Sequence, residues 1–302
     1  MKILFLGTPD FAVESLKVLV EHQYEIVGVV TAPDKPSGRG LEIHETPVKK
    51  YAKEVGLKIF QPEKLKSPEF IESLKELEID LGIVVAFRML PEMVWNLPKM
   101  GTFNLHASLL PNYRGSAPIN WAIIHGEKET GVTTFFLKHE IDTGDILMQK
   151  KVEIGADETA GELYDRLMHK GAELVLETMH LIEKGNYSTI PQAQNTSIHQ
   201  APKLYKETAC IDFSKSGREI YNFIRGMNPF PGAWFIWNQK KIIIYKCTFN
   251  SEVHTNQSGE IATDYKSYFR VFCADGSIEI LELKMEGKKQ MKIVDFLNGI
   301  KR

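Results

Sequence analysis

A chain of 302 residues with 43% apolar and 25% charged content can build two separate hydrophobic cores, which excludes disorder on a large scale. The formal net charge of −2 conceals an asymmetry: residues 1–202 carry 21 basic and 28 acidic groups and residues 203–302 carry 16 and 11, net −7 and +5. A basic region joined to an acidic one suits a polyanionic partner, although a solvated surface reaches +5 without one.

Lys2 is followed by only a short apolar run before Thr8, and Asp10, Glu14 and Lys17 interrupt what comes next. Neither a signal peptide nor a membrane helix fits that pattern, and a cytoplasmic protein is expected. Cys210, Cys247 and Cys273 are odd in number and widely spaced, so buried thiols are expected rather than disulfides or structural zinc. The nine histidines lack His-x-x-x-His spacing, and no metal is expected.

In chain order, residues 2–7 read as a strand, after which Phe11, Ala12, Leu16, Leu19 and Val20 recur at helical spacing. Residues 25–31 read as a second strand, and residues 32–40, with Pro33, Pro36, Gly38 and Gly40, read as a loop. A helix carrying Val48, Tyr51, Ala52 and Val55 on one face, a short strand near Ile59 and a helix over 67–78 follow. Residues 80–87 form a continuously apolar strand of the kind covered on both faces. Strands are expected again at 130–138 and 146–154, with a long helix over 159–184. This alternation predicts an α/β domain with a doubly wound, mostly parallel, Rossmann-like sheet, its function at the carboxyl ends of the strands.

Residues 188–204 are rich in Pro, Asn, Gln, Ser and Thr and read as a linker between a domain over 1–187 and another over 205–302. The second domain has a helix over 216–227, a Pro/Gly break at 228–232 and short strands near 233–238, 240–249, 258–263, 268–273 and 277–285. That pattern predicts a small β-barrel, with the OB-like form as one candidate.

The stretch the rest positions is 103–115, Phe-Asn-Leu-His-Ala-Ser-Leu-Leu-Pro-Asn-Tyr-Arg-Gly. Asn104 and His106 are two apart on a strand and share a face, and Pro111 ends the regular ladder. Asn-x-His alone would be an ordinary strand cap, and Asp142 alone an ordinary turn residue. The longer string Asn-x-His-x-Ser-Leu-Leu-Pro-x-x-x-Gly, with Ile141-Asp142-Thr143-Gly144-Asp145 beginning 35 residues after His106, resembles the folate-dependent formyltransferases.

The resemblance implies Asn104, His106 and Asp142 as the catalytic residues. Formyl transfer to an amine needs a donor to the developing oxyanion and a group that takes a proton, which an amide and an imidazole beside a carboxylate can provide. The implied formyl donor is 10-formyltetrahydrofolate as co-substrate. The segments implied to hold it are Phe87, Arg88, Met89 and Leu90, then Ser108, Leu109, Leu110 and Pro111, then Lys138 and Ile141. Phe87 and Leu90 could equally be core residues.

The acceptor is separated by the flanks. Gly7-Thr8-Pro9-Asp10-Phe11-Ala12, residues 35–40, Thr46-Pro47-Val48-Lys49 and residues 228–232 resemble the family members that formylate methionine on initiator transfer RNA. This implies initiator methionyl transfer RNA as partner; by charge, Lys35, Arg39, Lys203, Lys206, Lys240, Lys241 and Lys246 could follow its phosphates, and Arg114 could do so or merely bond a carbonyl. Arg225 could join that groove, and Trp234, Trp237 and Tyr245 fit either base stacking or barrel core. The chain departs from that pattern just after Gly40, where acidic and apolar residues stand in place of further basic ones. A monomer is expected. Two other readings remain, a formyltransferase for a sugar nucleotide or other small amine, and an RNA-binding module that has lost its chemistry.

Overall fold

The structure is a computed structural model that describes residues 1–37, 42–193 and 198–300. The first third of the chain forms β1 (Lys2–Gly7), α1 (Asp10–Glu21), β2 (Glu25–Val30), α2 (Pro47–Glu54), β3 (Ile59–Phe60), α3 (Pro68–Lys75), β4 (Leu81–Val85), α4 (Glu92–Trp95) and β5 (Thr102–His106). Then come α5 (Pro118–Ile124), β6 (Glu129–Phe136), β7 (Ile146–Glu153), α6 (Ala160–Glu183) and α7 (Gly217–Gly226). The last part contains β8 (Trp234–Trp237), β9 (Lys240–Ser251), β10 (Ile261–Thr263), β11 (Phe269–Cys273), β12 (Gly276–Met285), β13 (Met291–Lys292) and α8 (Ile293–Ile300).

These elements divide into two compact units. The first comprises Met1–Arg114, Gly131–Val152 and Tyr164–Gln200; the second comprises Gly115–Thr130, Glu153–Leu163 and Ala201–Arg302.

The first unit is built on a seven-stranded sheet of order β7-β6-β5-β4-β1-β2-β3. The β1/β2, β1/β4, β2/β3 and β4/β5 pairs are parallel, and β5/β6 is antiparallel, placing His106 opposite Thr133. β4 is buried along its whole length, as an apolar run covered on both faces must be. Leu4, Leu6, Val30, Phe70, Leu74 and Val84 form one core cluster, each buried side chain stabilising the fold by about 2 kcal/mol. Helix starts follow local chemistry: Thr46 accepts from the Lys49 N–H at 3.1 Å with Pro47 in the first turn of α2, and Pro68 opens α3.

Of residues 32–40, expected as a loop, Lys35–Ser37 pairs antiparallel with Glu42–His44, and 38–40 lie outside the described residues. Pro36 and the glycines hid the strand signal, because proline is confined to edges and glycine weakens strand patterning. The base of this hairpin is pinned by Asp34, which accepts from Lys49 and from Gln61 at 2.8 Å.

The second unit carries a curled antiparallel sheet, order β8-β9-β12-β11-β10, with β13 on β12. In β9, Ile242 and Ile244 are buried in one phase and Cys247 in the other. The register shifts between Ile244 and Cys247 cause this, since an extra residue flips the faces of everything beyond it. A capping box at Ser216 and Glu219 starts α7, whose Ile220 and Ile224 enter the core with Phe269, Ile278 and Phe296. β13 and α8 were absent from the sequence expectation, β13 being only 2 residues long.

Cys247 and Cys273 are buried and Cys210 is exposed, which corrects the expectation of three buried thiols. Burial pushes the Cys247 thiol up to about 12. Among the described residues no group of three or more His, Cys, Asp or Glu could hold a metal ion, and no helix is long and apolar enough to cross a membrane.

Candidate active site

Asn104 and His106 lie on β5, an inner strand of the first unit's sheet that ends at His106, with Leu105 between them packed on Gly171 of α6. Strand alternation therefore turns the amide and the imidazole away from α6 together. His106 is 7% exposed, and its Nε2 lies 2.8 Å from the Tyr113 carbonyl oxygen. A carbonyl only accepts, so Nε2 carries the proton. The other nitrogen, Nδ1, is 3.9 Å from Asp142 Oδ2, and the Asp142 side chain is 13% exposed. The ring is thus held at one nitrogen and faces a carboxylate at the other.

The loop that supplies Tyr113 is fixed by a hydroxyl. Thr133 Oγ1 donates to Ser108 O at 2.6 Å and accepts from Leu110 N at 3.3 Å and from Gln149 Nε2 at 2.9 Å. Gln149 also donates to Leu110 O at 2.9 Å, and Ser108 Oγ donates to Asn112 O at 2.7 Å. Tyr113 itself has a positive φ of 62°, its N–H donates to His199 O, and its ring stacks on His199 with 5.6 Å between centroids.

The loop that supplies Asp142 is equally constrained. Asp142 has a φ of 56°, in the left-handed region that non-glycine residues rarely adopt. Thr143 Oγ1 donates to Glu140 O at 3.0 Å, and Lys138 Nζ to Asp145 Oδ1 at 2.8 Å. At Gly144 an added Cβ would sit 1.5 Å from the Phe136 carbonyl oxygen, so the loop approaches β6 more closely than any side chain allows.

Of the residues expected to hold the folate, Ser108 and Leu110 are buried, Leu110 packing with Phe135 and Ile146. Phe87 and Leu90 pack against the sheet's core cluster, whereas Met89 and Ile141 are exposed large apolar side chains at 74% and 57%. Arg88 donates to the Pro62 and Glu63 carbonyls. Leu109 and Pro111 are half-buried, and Lys138 is exposed.

The expected RNA contacts differ in their surroundings. Lys35 is exposed, and Arg39 lies outside the described residues. Arg114 donates from Nε and Nη2 to Gln192 Oε1 at 3.1 and 2.6 Å. Lys203, Lys206, Lys240 and Lys246 are exposed. Lys203 lies over Tyr205, and Lys241 over Trp234 at 3.9 Å. Lys240 and Lys241 are consecutive on one strand and point to opposite faces, so these cations form no single row.

Arg225 does not belong with them. It is 7% exposed and donates to Asn222 Oδ1 at 3.0 Å and to the Glu158 and Gly155 carbonyls at 3.0 and 3.3 Å. Desolvation pushes its guanidinium below the ordinary value. Trp237 packs edge-on against Phe269 in the core, as one of the two expectations had it, while Trp234 stands half-buried on the other face of β8. Thr133, Gln149 and Gln192 escaped the sequence reading because a polar side chain that bonds a distant backbone leaves no local pattern.

Two family models match the chain, "Formyl transferase" over residues 1–179 and "Formyl transferase, C-terminal domain" over residues 203–301. A protein of Bacteroides fragilis named methionyl-tRNA formyltransferase is 50% identical over 308 residues, covering 99% of this chain and 95% of that one. Another so named, from Phocaeicola vulgatus, is 52% identical over 309 residues with the same coverage. Among solved structures, the sugar 3N-formyl transferase WlaRD, determined with dTDP and 5-N-formyl-THF, matches with a TM-score of 0.70 at 22% identity, over 96% of this chain and 99% of that one. HypX from Aquifex aeolicus in complex with tetrahydrofolic acid matches with a TM-score of 0.65 at 21% identity, over 98% of this chain and 47% of that one. At such identities the two structures establish the fold alone.

Proposed function

The chain belongs to the formyl transferase family, and on that premise we propose that it transfers a formyl group from 10-formyltetrahydrofolate to the amino group of methionine on initiator transfer RNA, in the cytoplasm and as a monomer. The observation that carries the reading is the His106 imidazole, fixed at Nε2 by the Tyr113 carbonyl, facing Asp142 from Nδ1 and sharing a strand face with Asn104.

The folate supplies an activated formyl carbonyl, and its flat heterocycle suits the irregular segments 87–90 and 138–141, where exposed Met89 and Ile141 offer apolar surface. Phe87, Arg88, Leu90, Lys138 and the backbone of 108–111 complete that set. Asn104 donates its amide N–H to the oxygen on which negative charge develops. Because Nε2 already holds a proton, Nδ1 is the nitrogen that accepts one from the attacking amine, Asp142 stabilises the resulting imidazolium, and the proton passes to the donor's nitrogen as its bond to the formyl carbon breaks.

In this reading residues 1–187 form the catalytic domain, 188–204 the connection and 205–302 the RNA-binding domain. Lys203, Lys206, Lys240, Lys241 and Lys246 contact phosphates there, and Lys35, Arg39 and Arg114 do so from the catalytic domain. The test is a formylation assay with the folate donor and charged initiator and elongator methionine RNAs side by side. Formylation of the initiator in preference to the elongator is expected. Formylation of a sugar nucleotide or small amine with no RNA product would contradict the reading.

A further inference from the structure

We propose that Gln192 is a positioning residue that sets where Asp142 meets His106, an inference that rests on the formyl-transfer reading. Its amide is used to capacity. Nε2 donates to Asp142 O at 2.9 Å and to Gly144 O at 2.8 Å, while Oε1 accepts from Arg114 Nε and Nη2 at 3.1 and 2.6 Å. The orientation of the amide is dictated, because exchanging its oxygen and nitrogen would set oxygen against two carbonyls and an NH2 group against a guanidinium.

What makes this amide more than a loop brace is the pair of segments it joins. Asp142 faces Nδ1 of His106, and Arg114 directly follows Tyr113, whose carbonyl accepts from Nε2 of the same ring. One side chain therefore links the backbone of the Asp142 loop to the guanidinium of the residue that follows Tyr113. The Asp142 end needs such a tie, since its left-handed backbone persists only where the surroundings over-determine it. Gln192 supplies two of those constraints, one on each side of Thr143. Its segment read as a linker in the sequence, and nothing local marks it as part of a site.

Two substitutions separate the ends. Gln192→Ala removes both; Gln192→Glu keeps the acceptor for Arg114 and sets an oxygen against the Asp142 and Gly144 carbonyls. Both variants are expected to lower single-turnover kcat by about 10- to 100-fold, with KM for donor and RNA within about twofold of wild type. Gln192→Ala combined with Asp142→Asn is expected to be no slower than Asp142→Asn alone. The NMR signals of the His106 ring, read without substrate, are expected to move in both variants.

Ring signals that superimpose on those of the wild type, or losses that multiply with Asp142→Asn, would overturn the positioning role. Because the ring signals need no turnover, moved signals together with a wild-type protein that forms no formyl product would sink the formyl-transfer reading instead and leave the tether standing.

Discussion

Around His106 the ring nitrogens, the Thr133 hydroxyl and the Gln192 amide all have protein partners at defined distances, whereas Lys203, Lys206, Lys240 and Lys246 of the second unit stand in solvent. The contrast follows from what the proposed function asks of each set. A proton transfer fails if the acceptor is displaced by a fraction of its hydrogen-bond length, so the ring is fixed through two loops and a strand. Phosphate recognition tolerates many geometries, so its cations remain hydrated and each one contributes little at physiological salt. Arg225 shows that charge alone does not assign a residue to the second class, because its guanidinium is spent on backbone carbonyls.

The comparison can be broken most sharply at the imidazole. His106→Ala is expected to reduce the rate of formyl transfer by about 10²-fold or more while RNA affinity stays near wild type, measured by single-turnover kinetics and filter binding. Arg225→Ala should do the reverse of what a phosphate contact does. Removing a donor from the Gly155 and Glu158 carbonyls costs about 2 kcal/mol of stability in a denaturant titration, with no change in the salt dependence of RNA binding.

Lys206→Ala and Lys241→Ala should each weaken RNA binding by only a few-fold and flatten the plot of log affinity against log salt by about one unit, with kcat unchanged. The smallest effect concerns Asp34. The Lys49 ammonium beside it holds its carboxyl below the ordinary value of 3.8, so the folded protein binds this proton less readily than the unfolded chain. That contribution is present above the ordinary value and lost as pH falls through the lowered one. Asp34→Asn should therefore make the loss of stability below about pH 4 shallower in acid titration.

Much of the fold was legible because it is written locally. The buried run of β4, the helix start at Ser216 and the two-residue spacing of Asn104 and His106 each place a residue from its immediate neighbours. The proposed catalytic residues could be named for a second reason, a resemblance that spans separate stretches of chain. The hairpin at Lys35–Ser37 was not, since proline and glycine mask strand propensity. Nor were Gln192 and Arg225, whose roles depend on partners 78 and 70 residues away in sequence. Hydrophobic periodicity reports which face is buried, and it is silent on which carbonyl a buried donor reaches.

The account turns on His106 and Asp142 acting as one device, and single-turnover formyl transfer by His106→Ala, Asp142→Asn and the double variant measures that directly. A double variant no slower than His106→Ala alone is the predicted result, because the carboxylate acts only through the ring. Losses that multiply would mean that Asp142 contributes independently of the imidazole, contrary to the geometry described for this site.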